Sequence, residues 1–314
     1  MESGIKVTIL IPFYKVEKYF RKTLKSVFLQ TYQNIDYVFL DDGSPDNSFI
    51  ILKKIILEYN IDSSRYIILA HKENEGIAKS RAECIANAKG DYVYFVDSDD
   101  WIEEDAIEQM VAATKNGSVD IVGCDFYKDF ETGIIEYHHE EYALLCNENM
   151  VKCLNYNIAT VLWKLLIRRS LFDFFPVSTI NIGEDYIMSV KLFYYASSFI
   201  SINKAFYHYV QYNDNRLSLQ TLRSINDHIL CINDVESFLR SKGCYDEKIE
   251  YQLLLRKFNL KSNFVLNKNL LNENAYNLTF PEAKGVWRKI NYSSKERIKF
   301  WLAEHGLFLF LKLI

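Results

Sequence analysis

Three carboxylates close a short apolar run in the stretch 91–101, DYVYFVDSDDW, where Asp97, Asp99 and Asp100 fall within four residues. Acids packed this closely repel one another unless a cation or water offsets their charge. Hard divalent ions take oxygen ligands and commonly bridge one or two carboxylates to substrate phosphates. The chemistry this spacing indicates is therefore a metal held together with a phosphorylated ligand. A competing reading is an acidic turn capping a helix that starts near Glu103, because Asp is favoured at helix N-caps. A DxD pattern alone does not choose between them.

The element that delivers these acids is legible in the residues before them. Tyr92, Val93, Tyr94, Phe95 and Val96 form an unbroken β-prone block, typical of a strand covered on both faces. Upstream, strand-like runs at 7–12, 35–40 and 66–70 alternate with helix-like runs at 17–30, 46–59 and 76–88. Repeated βαβ units predict a parallel, doubly wound sheet with right-handed crossovers. The second crossover opens on Ser44-Pro45-Asp46, which reads as a cap followed by proline at the first helical position. Beyond Trp101 the pattern loosens. Residues 120–127 and 134–137 around Thr132-Gly133 read as a hairpin or edge strands, 147–156 and 184–196 as helices, and 198–202 with 205–210 as two short strands. From about Leu217 the pattern is helical.

Ligands of open α/β sheets bind in the crevice beyond the carboxyl ends of the strands. Pro12-Phe13-Tyr14 follows the first strand, Asp41-Asp42-Gly43-Ser44 the second, residues 71–76 the third, and the acidic cluster the fourth. Four consecutive strand ends with site-like residues carry more weight than any one motif. The first βα turn, PFYKVEKY, has no GxGxxG, and GxxxxGK[ST] is absent. These absences argue against a dinucleotide-dependent dehydrogenase and a P-loop enzyme.

The 314 residues, 49% of them hydrophobic, suffice for one large or two modest cored domains. A net charge of −4 with interspersed signs points away from nucleic acid as a partner. The six cysteines include no CxxC pair, no secretory signal is expected ahead of the first strand, and no stretch reaches the ~18–20 apolar residues of a bilayer span. A cytoplasmic location fits these features.

Read in order, VTILIPFYKVEKYFRKTLKSVFLQTYQNIDYVFLDDGSPDNS, NEGIAKSRAECIANAKGDYVYFVDSDD and NIGEDYIMSVKLFYYA closely resemble the bacterial family 2 glycosyltransferases of GT-A fold, over roughly residues 5–210. The resemblance implies a GT-A type doubly wound mixed sheet. It would have a nucleotide-sugar-binding half at 5–100, an acceptor half at 101–215 and a helical C-terminal region at 216–314. It further implies inverting transfer from a nucleoside diphosphate sugar, a UDP-sugar being favoured, with Mn²⁺ or Mg²⁺. Carried over by position, Pro12 and Tyr14 line the nucleotide base, Glu17 lies beside it and Asp42 bonds the base edge. Asp97 and Asp99 take the place of the DxD that reaches the ribose and the metal-bound diphosphate. Asp100 is a further candidate ligand, and Arg81 faces the diphosphate. Asp185, in Gly183-Glu184-Asp185, falls where the family keeps its general base, and Glu184 would orient the acceptor or raise its neighbour's basicity. Lys15 stands where the family usually has asparagine, Ser80-Arg81-Ala82 replaces Ala-Arg-Asn, and Trp163-Lys164 shortens Trp-Asn-Lys.

Other readings compete at individual residues. Glu184 and Asp185 also suit the first turn of a helix, where the dipole favours acids. His208 is a candidate third metal ligand or acceptor contact, or else a packed histidine. Trp163 and Lys164 border an acceptor groove or belong to the core, and His138-His139 reads as solvent-exposed, with no carboxylate at ligand spacing. Between 284 and 299, Lys284, Arg288, Lys289, Lys295, Arg297 and Lys299 face a single acid, Glu296, before FWLAEHGLFLFLKLI. This tail suits an interfacial helix on an anionic membrane, or a helix packed on the protein. The function expected is the addition of one sugar to a lipid-linked glycan of the bacterial surface, on the inner face of the cytoplasmic membrane. The alternatives are a nucleotidyltransferase acting on a sugar phosphate and an inactive sugar-nucleotide-binding module.

Overall fold

The computed structural model of the chain describes residues 4–212, 222–311 and 313. The chain divides into two compact units, one of Met1–Met150 and Ile158–Arg216, the other of Val151–Asn157 and Leu217–Ile314. In order, the elements as far as the last strand are β1 (Val7–Phe13), α1 (Phe20–Phe28), β2 (Ile35–Asp41), α2 (Ser48–Glu58), β3 (Tyr66–Ala70), α3 (Ile77–Asn87), β4 (Tyr92–Phe95), β5 (Trp101–Ile102), α4 (Ala106–Ala113), β6 (Ile121–Asp129), β7 (Ile135–His138), α5 (Cys146–Leu154), β8 (Leu165–Arg168), α6 (Glu184–Tyr195) and β9 (Phe199–Val210).

These strands build one mixed sheet in the order β3-β2-β1-β4-β8-β6-β9-β5, with β7 paired to β6. The first four are parallel, as repeated βαβ units require. β8 then runs antiparallel between β4 and β6, β9 runs parallel to β6, and β5 is antiparallel to β9. Every residue of β1 is buried, because elements pack on both faces of the sheet. α1 buries Phe20, Leu24 and Val27 at helical spacing and turns Arg21, Lys22 and Lys25 outward.

Several expectations are corrected. α2 begins at Ser48, after Asn47, and not at Pro45, because Asp46 bends back to accept from the Ser48 backbone N–H and hydroxyl. The predicted strands at 198–202 and 205–210 are one strand, β9, kept continuous by an irregularity opposite Cys124 and Asp125. The helix expected near Glu103 is α4, which begins at Ala106 with Asp105 at its N-cap, and Trp101 and Ile102 pair with β9 as β5 between it and the acids. The acidic-cap reading of Asp97, Asp99 and Asp100 therefore fails.

The second unit is helical, with α7 (Leu222–Ser241), α8 (Glu247–Leu266), α9 (Glu273–Leu278), α10 (Ser294–Glu304) and α11 (Phe308–Leu311). The helical expectation for 217–221 lies outside the described residues. Asp246 caps α8 by accepting from Ile249 N–H, and α10 opens on a reciprocal capping box between Ser293 and Glu296. Phe300 on α10 packs against Phe258 of α8 at a ring separation of 5.1 Å and against Tyr292 at 5.0 Å. Among the described residues no helix is long and apolar enough to cross a membrane.

Candidate active site

The order of the parallel strands reverses between β1 and β4, and this is where an open α/β sheet forms its ligand crevice. β1 outruns β4 there. Their last paired residues are Leu10 and Phe95, and Val96 N–H donates to Leu10 O at 3.0 Å. Backbone groups alternate sides along a strand, so Pro12 presents its missing N–H to the side where β4 has already ended. A proline thus sits in a central strand without breaking a ladder bond. Tyr14, next in line, is exposed. Glu17 accepts from the backbone and side-chain N–H groups of Asn47, both at 3.1 Å, and so joins the first strand-end loop to the second.

Asp42, just beyond β2, is buried and organises the loop after β3. Its Oδ1 accepts from Glu75 N–H at 2.8 Å and lies 2.7 Å from His71 Nδ1, while Oδ2 accepts from Gly76 N–H at 2.9 Å. Gly43 is obligatory in this turn: with φ at +69°, a Cβ would lie 2.6 Å from the Glu73 carbonyl carbon.

The acidic loop after β4 is fixed from three sides. Thr23 Oγ1 donates to Ser98 O at 2.9 Å, Asp97 N–H donates to the Tyr207 hydroxyl at 3.0 Å, and Val210 N–H donates to Asp100 Oδ1 at 2.8 Å. The Tyr207 hydroxyl in turn donates to Asp100 Oδ2 at 2.8 Å. Asp100 is fully buried with both oxygens engaged. Burial, then the charges of Asp99 and Asp97, push its carboxyl well above the usual range. Through these two bonds Asp100 clamps β9 to the loop. Asp97 and Asp99 stay partly exposed at the crevice.

Arg81 brings the two acid clusters together. From α3 its guanidinium donates to Asp97 at 2.8 Å, to Asp185 at 2.6 Å and to Glu184. Burial alone would lower its pKa, but the three carboxylates outweigh that and keep it charged. This buried side chain faces the acids, and its Nε has no hydrogen-bond partner among the described residues. Gly183, at φ +97°, starts α6 and places Glu184 and Asp185 in its first turn. Burial raises the pKa of both acids, Asp185 adding to the effect at Glu184 and Arg81 opposing it at each.

Three candidates for acceptor or metal contact prove to be interior residues. Lys164 is buried and ion-paired with buried Glu140. Trp163 stacks on Tyr207 at 4.2 Å and meets Phe126 edge-on. His208 is sandwiched between Trp101 and Tyr127, with Nδ1 2.9 Å from Asp129 and Nε2 3.0 Å from Glu103, so neither ring nitrogen is open to a ligand. His138 and His139 are not free of carboxylates either: Nε2 of His138 lies 3.2 Å from Glu140, and Nδ1 of His139 lies 3.0 Å from Asp125.

Three contributors were given no role in the sequence reading. Tyr207 ties the acidic loop to β9. His71 braces Asp42. Asn181 accepts from Ala78 N–H at 3.2 Å, so the first turn of α3 is capped by a side chain about a hundred residues away. Among these only His71 had a signal, since it opens a strand-end segment.

Residues 8–175, more than half of the chain, match the sequence profile described as glycosyl transferase family 2. The chain belongs to glycosyl transferase family 2. Within it, the chain is 31% identical over 215 residues to glycosyltransferase GlyA of Streptococcus pneumoniae, covering 65% of this chain and 30% of that protein. It is 32% identical over 212 residues to the putative glycosyltransferase EpsH of Bacillus subtilis, covering 65% of this chain and 60% of that protein. The matches thus span less than two thirds of either relative. Among solved structures, TarS 1–349 of S. aureus superposes with a TM-score of 0.67 at 18% identity, over 97% of this chain and 88% of that one. The same TarS fragment has been solved with UDP-GlcNAc. The superposition establishes the GT-A-like mixed α/β fold.

A divalent ion fits this family 2 site only in a particular way. Among the described residues no group of three or more His, Cys, Asp or Glu side chains is arranged to hold a metal ion by itself. Asp97 and Asp99 offer hard oxygen donors at the crevice, and Asp100 is withdrawn. Two carboxylates completed by phosphate oxygens are the donor set that remains, which is how Mg²⁺ is commonly held.

Proposed function

We propose that the chain is an inverting glycosyltransferase. It would move a sugar from a nucleoside diphosphate donor, with a UDP-sugar favoured, to a hydroxyl of a glycan acceptor during synthesis of a bacterial surface polysaccharide. The observation that carries this reading is the ion-pair cluster in which one guanidinium holds both Asp97 and Asp185. It brings an acid suited to a diphosphate next to an acid suited to an acceptor. Pro12, Tyr14, Glu17 and Asp42 border the base in this reading, so that residues 5–100 form the donor half and 101–215 the acceptor half. Complexes of TarS with UDP and UDP-GlcNAc support the preference for a uridine nucleotide.

In the transfer, Asp185 takes the proton of the acceptor hydroxyl as its oxygen bonds to the anomeric carbon. The bond from that carbon to the diphosphate oxygen breaks, and the nucleoside diphosphate leaves with the electron pair. One displacement from the opposite face inverts the anomeric configuration. Glu184 orients the acceptor. Asp97 and Asp99 would hold Mn²⁺ or Mg²⁺, which would supply positive charge for the leaving diphosphate. Arg81 bridges Asp97 and Asp185 and offsets their mutual repulsion before substrates arrive.

Changing Asp185 to Asn tests the base. Transfer should fall by ~10²–10⁴-fold while nucleotide affinity, measured by calorimetry, stays within a factor of two or so of wild type. Full activity in that variant sinks the assignment. Asp99→Ala should remove the part of nucleotide affinity that depends on Mn²⁺, and unchanged affinity with and without metal counts against that ligand.

The helical region has a role of its own in this proposal, on the inner face of the cytoplasmic membrane. Phe300 and Ala303 bury one side of α10, while Ile298 and Trp301 are exposed with Lys295 on the other, followed by exposed Leu309, Phe310 and Leu313. Cations beside apolar residues suit an anionic lipid surface, and a lipid-linked acceptor would be met there. Sedimentation with vesicles containing phosphatidylglycerol should pull down wild type and leave Trp301→Ser/Phe310→Ser in the supernatant. Equal partition of the two ends the membrane reading.

A further inference from the structure

We propose that His71 is a positioning residue of the donor site: its protonated ring, bracketed by Asp42 and Glu83, aims the Asp42 carboxylate at the nucleobase, and nucleotide binding weakens when that proton is lost. The inference rests on the reading of Asp42 as the base contact.

The geometry leaves Asp42 little freedom. A carboxylate offers about four acceptor positions. His71 and Glu75 N–H use two on Oδ1, and Gly76 N–H uses one on Oδ2. One position on Oδ2 remains for an N–H of a base edge. The direction of that lone pair is set by the donors already in place, of which only the histidine ring can change its proton count.

His71 itself is held firmly. Its backbone N–H donates to Asp41 O at 2.8 Å, continuing the β2 ladder past β3. The side chain is almost fully buried, with Nδ1 on Asp42 and Nε2 3.2 Å from Glu83 Oε2, off the line of a good hydrogen bond. A neutral imidazole carries one N–H. On Nδ1 that proton serves Asp42 and leaves a lone pair facing Glu83; on Nε2 it serves Glu83 and turns a lone pair against Asp42. Only the imidazolium satisfies both acids. The other charges around this pair come from α3 and the loop before it: Lys79, which pairs with Glu75 and lies 3.9 Å from Glu83, and Glu75 itself. Burial opposes the charged ring, but the bond to Asp42 and the nearby Glu83 and Asp42 carboxylates outweigh it, so the His71 pKa lies above its ordinary value.

Calorimetric titration of the full chain with UDP from pH 6 to 9, with Mn²⁺ fixed, tests this. Wild-type affinity should fall about tenfold as pH rises through the histidine's range, the size expected for losing one hydrogen bond to a charged group. His71→Gln should bind weakly with a flat profile. Glu83→Gln, a change on the outer face of α3, should keep low-pH affinity and move the midpoint to lower pH, because one of the acids holding the proton is gone. A Glu83→Gln midpoint that does not move, or a His71→Gln profile like wild type, overturns the proposal. Asp42→Asn separates the underlying reading: wild-type UDP affinity in that variant refutes the base contact itself, and with it this inference.

Discussion

Arg81 and Asp185, 104 positions apart in the chain, meet at 2.6 Å in a buried cluster that also holds Asp97 and Glu184. Three acids share one cation, so the cluster keeps excess negative charge where burial makes charge expensive. Such an arrangement is poor as a stabilising device and suited to a place that awaits positive charge.

Removing the cation should therefore be costly. Arg81→Met should lower stability by about 3–5 kcal/mol, the range for breaking a buried ion pair from one side. Urea denaturation at pH 8 measures it. The loss should shrink at pH 5, where the stranded carboxylates take up protons. A loss under about 1 kcal/mol at pH 8, the size of an exposed pair, would mean the cluster is not energetically buried.

Glu184 and Asp185 set a pH dependence whose sign follows from proton counting. Both hold their protons to higher pH in the folded chain than in the unfolded one, through burial first and then neighbouring acid charge. Unfolding thus releases protons above the unfolded carboxylate range near pH 4, and stability declines as pH rises from there through the folded values. The urea midpoint should be lower at pH 8 than at pH 5.5, and Glu184→Gln should flatten the difference. Transfer should run the other way, since Asp185 acts as a base only without its proton. An unchanged slope in Glu184→Gln removes this acid from the account.

The parallel half of the sheet was legible because β1 to β4 are apolar runs of strand length, separated by helical periodicity and ending in polar residues. β8 was hidden, since Leu165, Leu166 and Ile167 follow Leu162 and Trp163 without a turn signal, and only pairing with β4 and β6 makes them a strand. β5 has two residues and no period to detect. At the site, residue type revealed Asp97 and Asp185 as candidates, but their common partner depends on a contact between α3 and α6 that no local pattern encodes. Asp99 and Asp100 are adjacent and chemically alike. What separates them is the reach of Tyr207 and Val210 from β9. Lys164 and His208 looked available because charged side chains are rarely interior, and their remote partners Glu140, Asp129 and Glu103 are what make burial tolerable.

Lys15 bears on stability. It adopts φ of +57° in the turn after β1, donating its backbone N–H to Ser44 Oγ at 3.1 Å. This left-handed conformation costs an ordinary residue roughly 1–2 kcal/mol, and asparagine visits it more readily. Lys15→Asn should accordingly stabilise the chain by about 0.5–1 kcal/mol, raising Tm by a few degrees in calorimetry. A Tm that falls would show that the lysine side chain makes a compensating contact.

The hydroxyl of Tyr207 touches both ends of the acidic loop, donating to Asp100 and accepting from Asp97 N–H. Tyr207→Phe retains the stack on Trp163 but strands a buried carboxylate oxygen and a backbone N–H. Stability should fall by about 1–3 kcal/mol. Because Asp97 and Asp99 lie between those two anchors, UDP affinity in the presence of Mn²⁺ should weaken several-fold, with little change when metal is left out. If the variant loses stability yet keeps metal-dependent affinity, the hydroxyl supports the fold without aiming the acids. If it loses neither, the loop is held by Thr23 and Val210 alone.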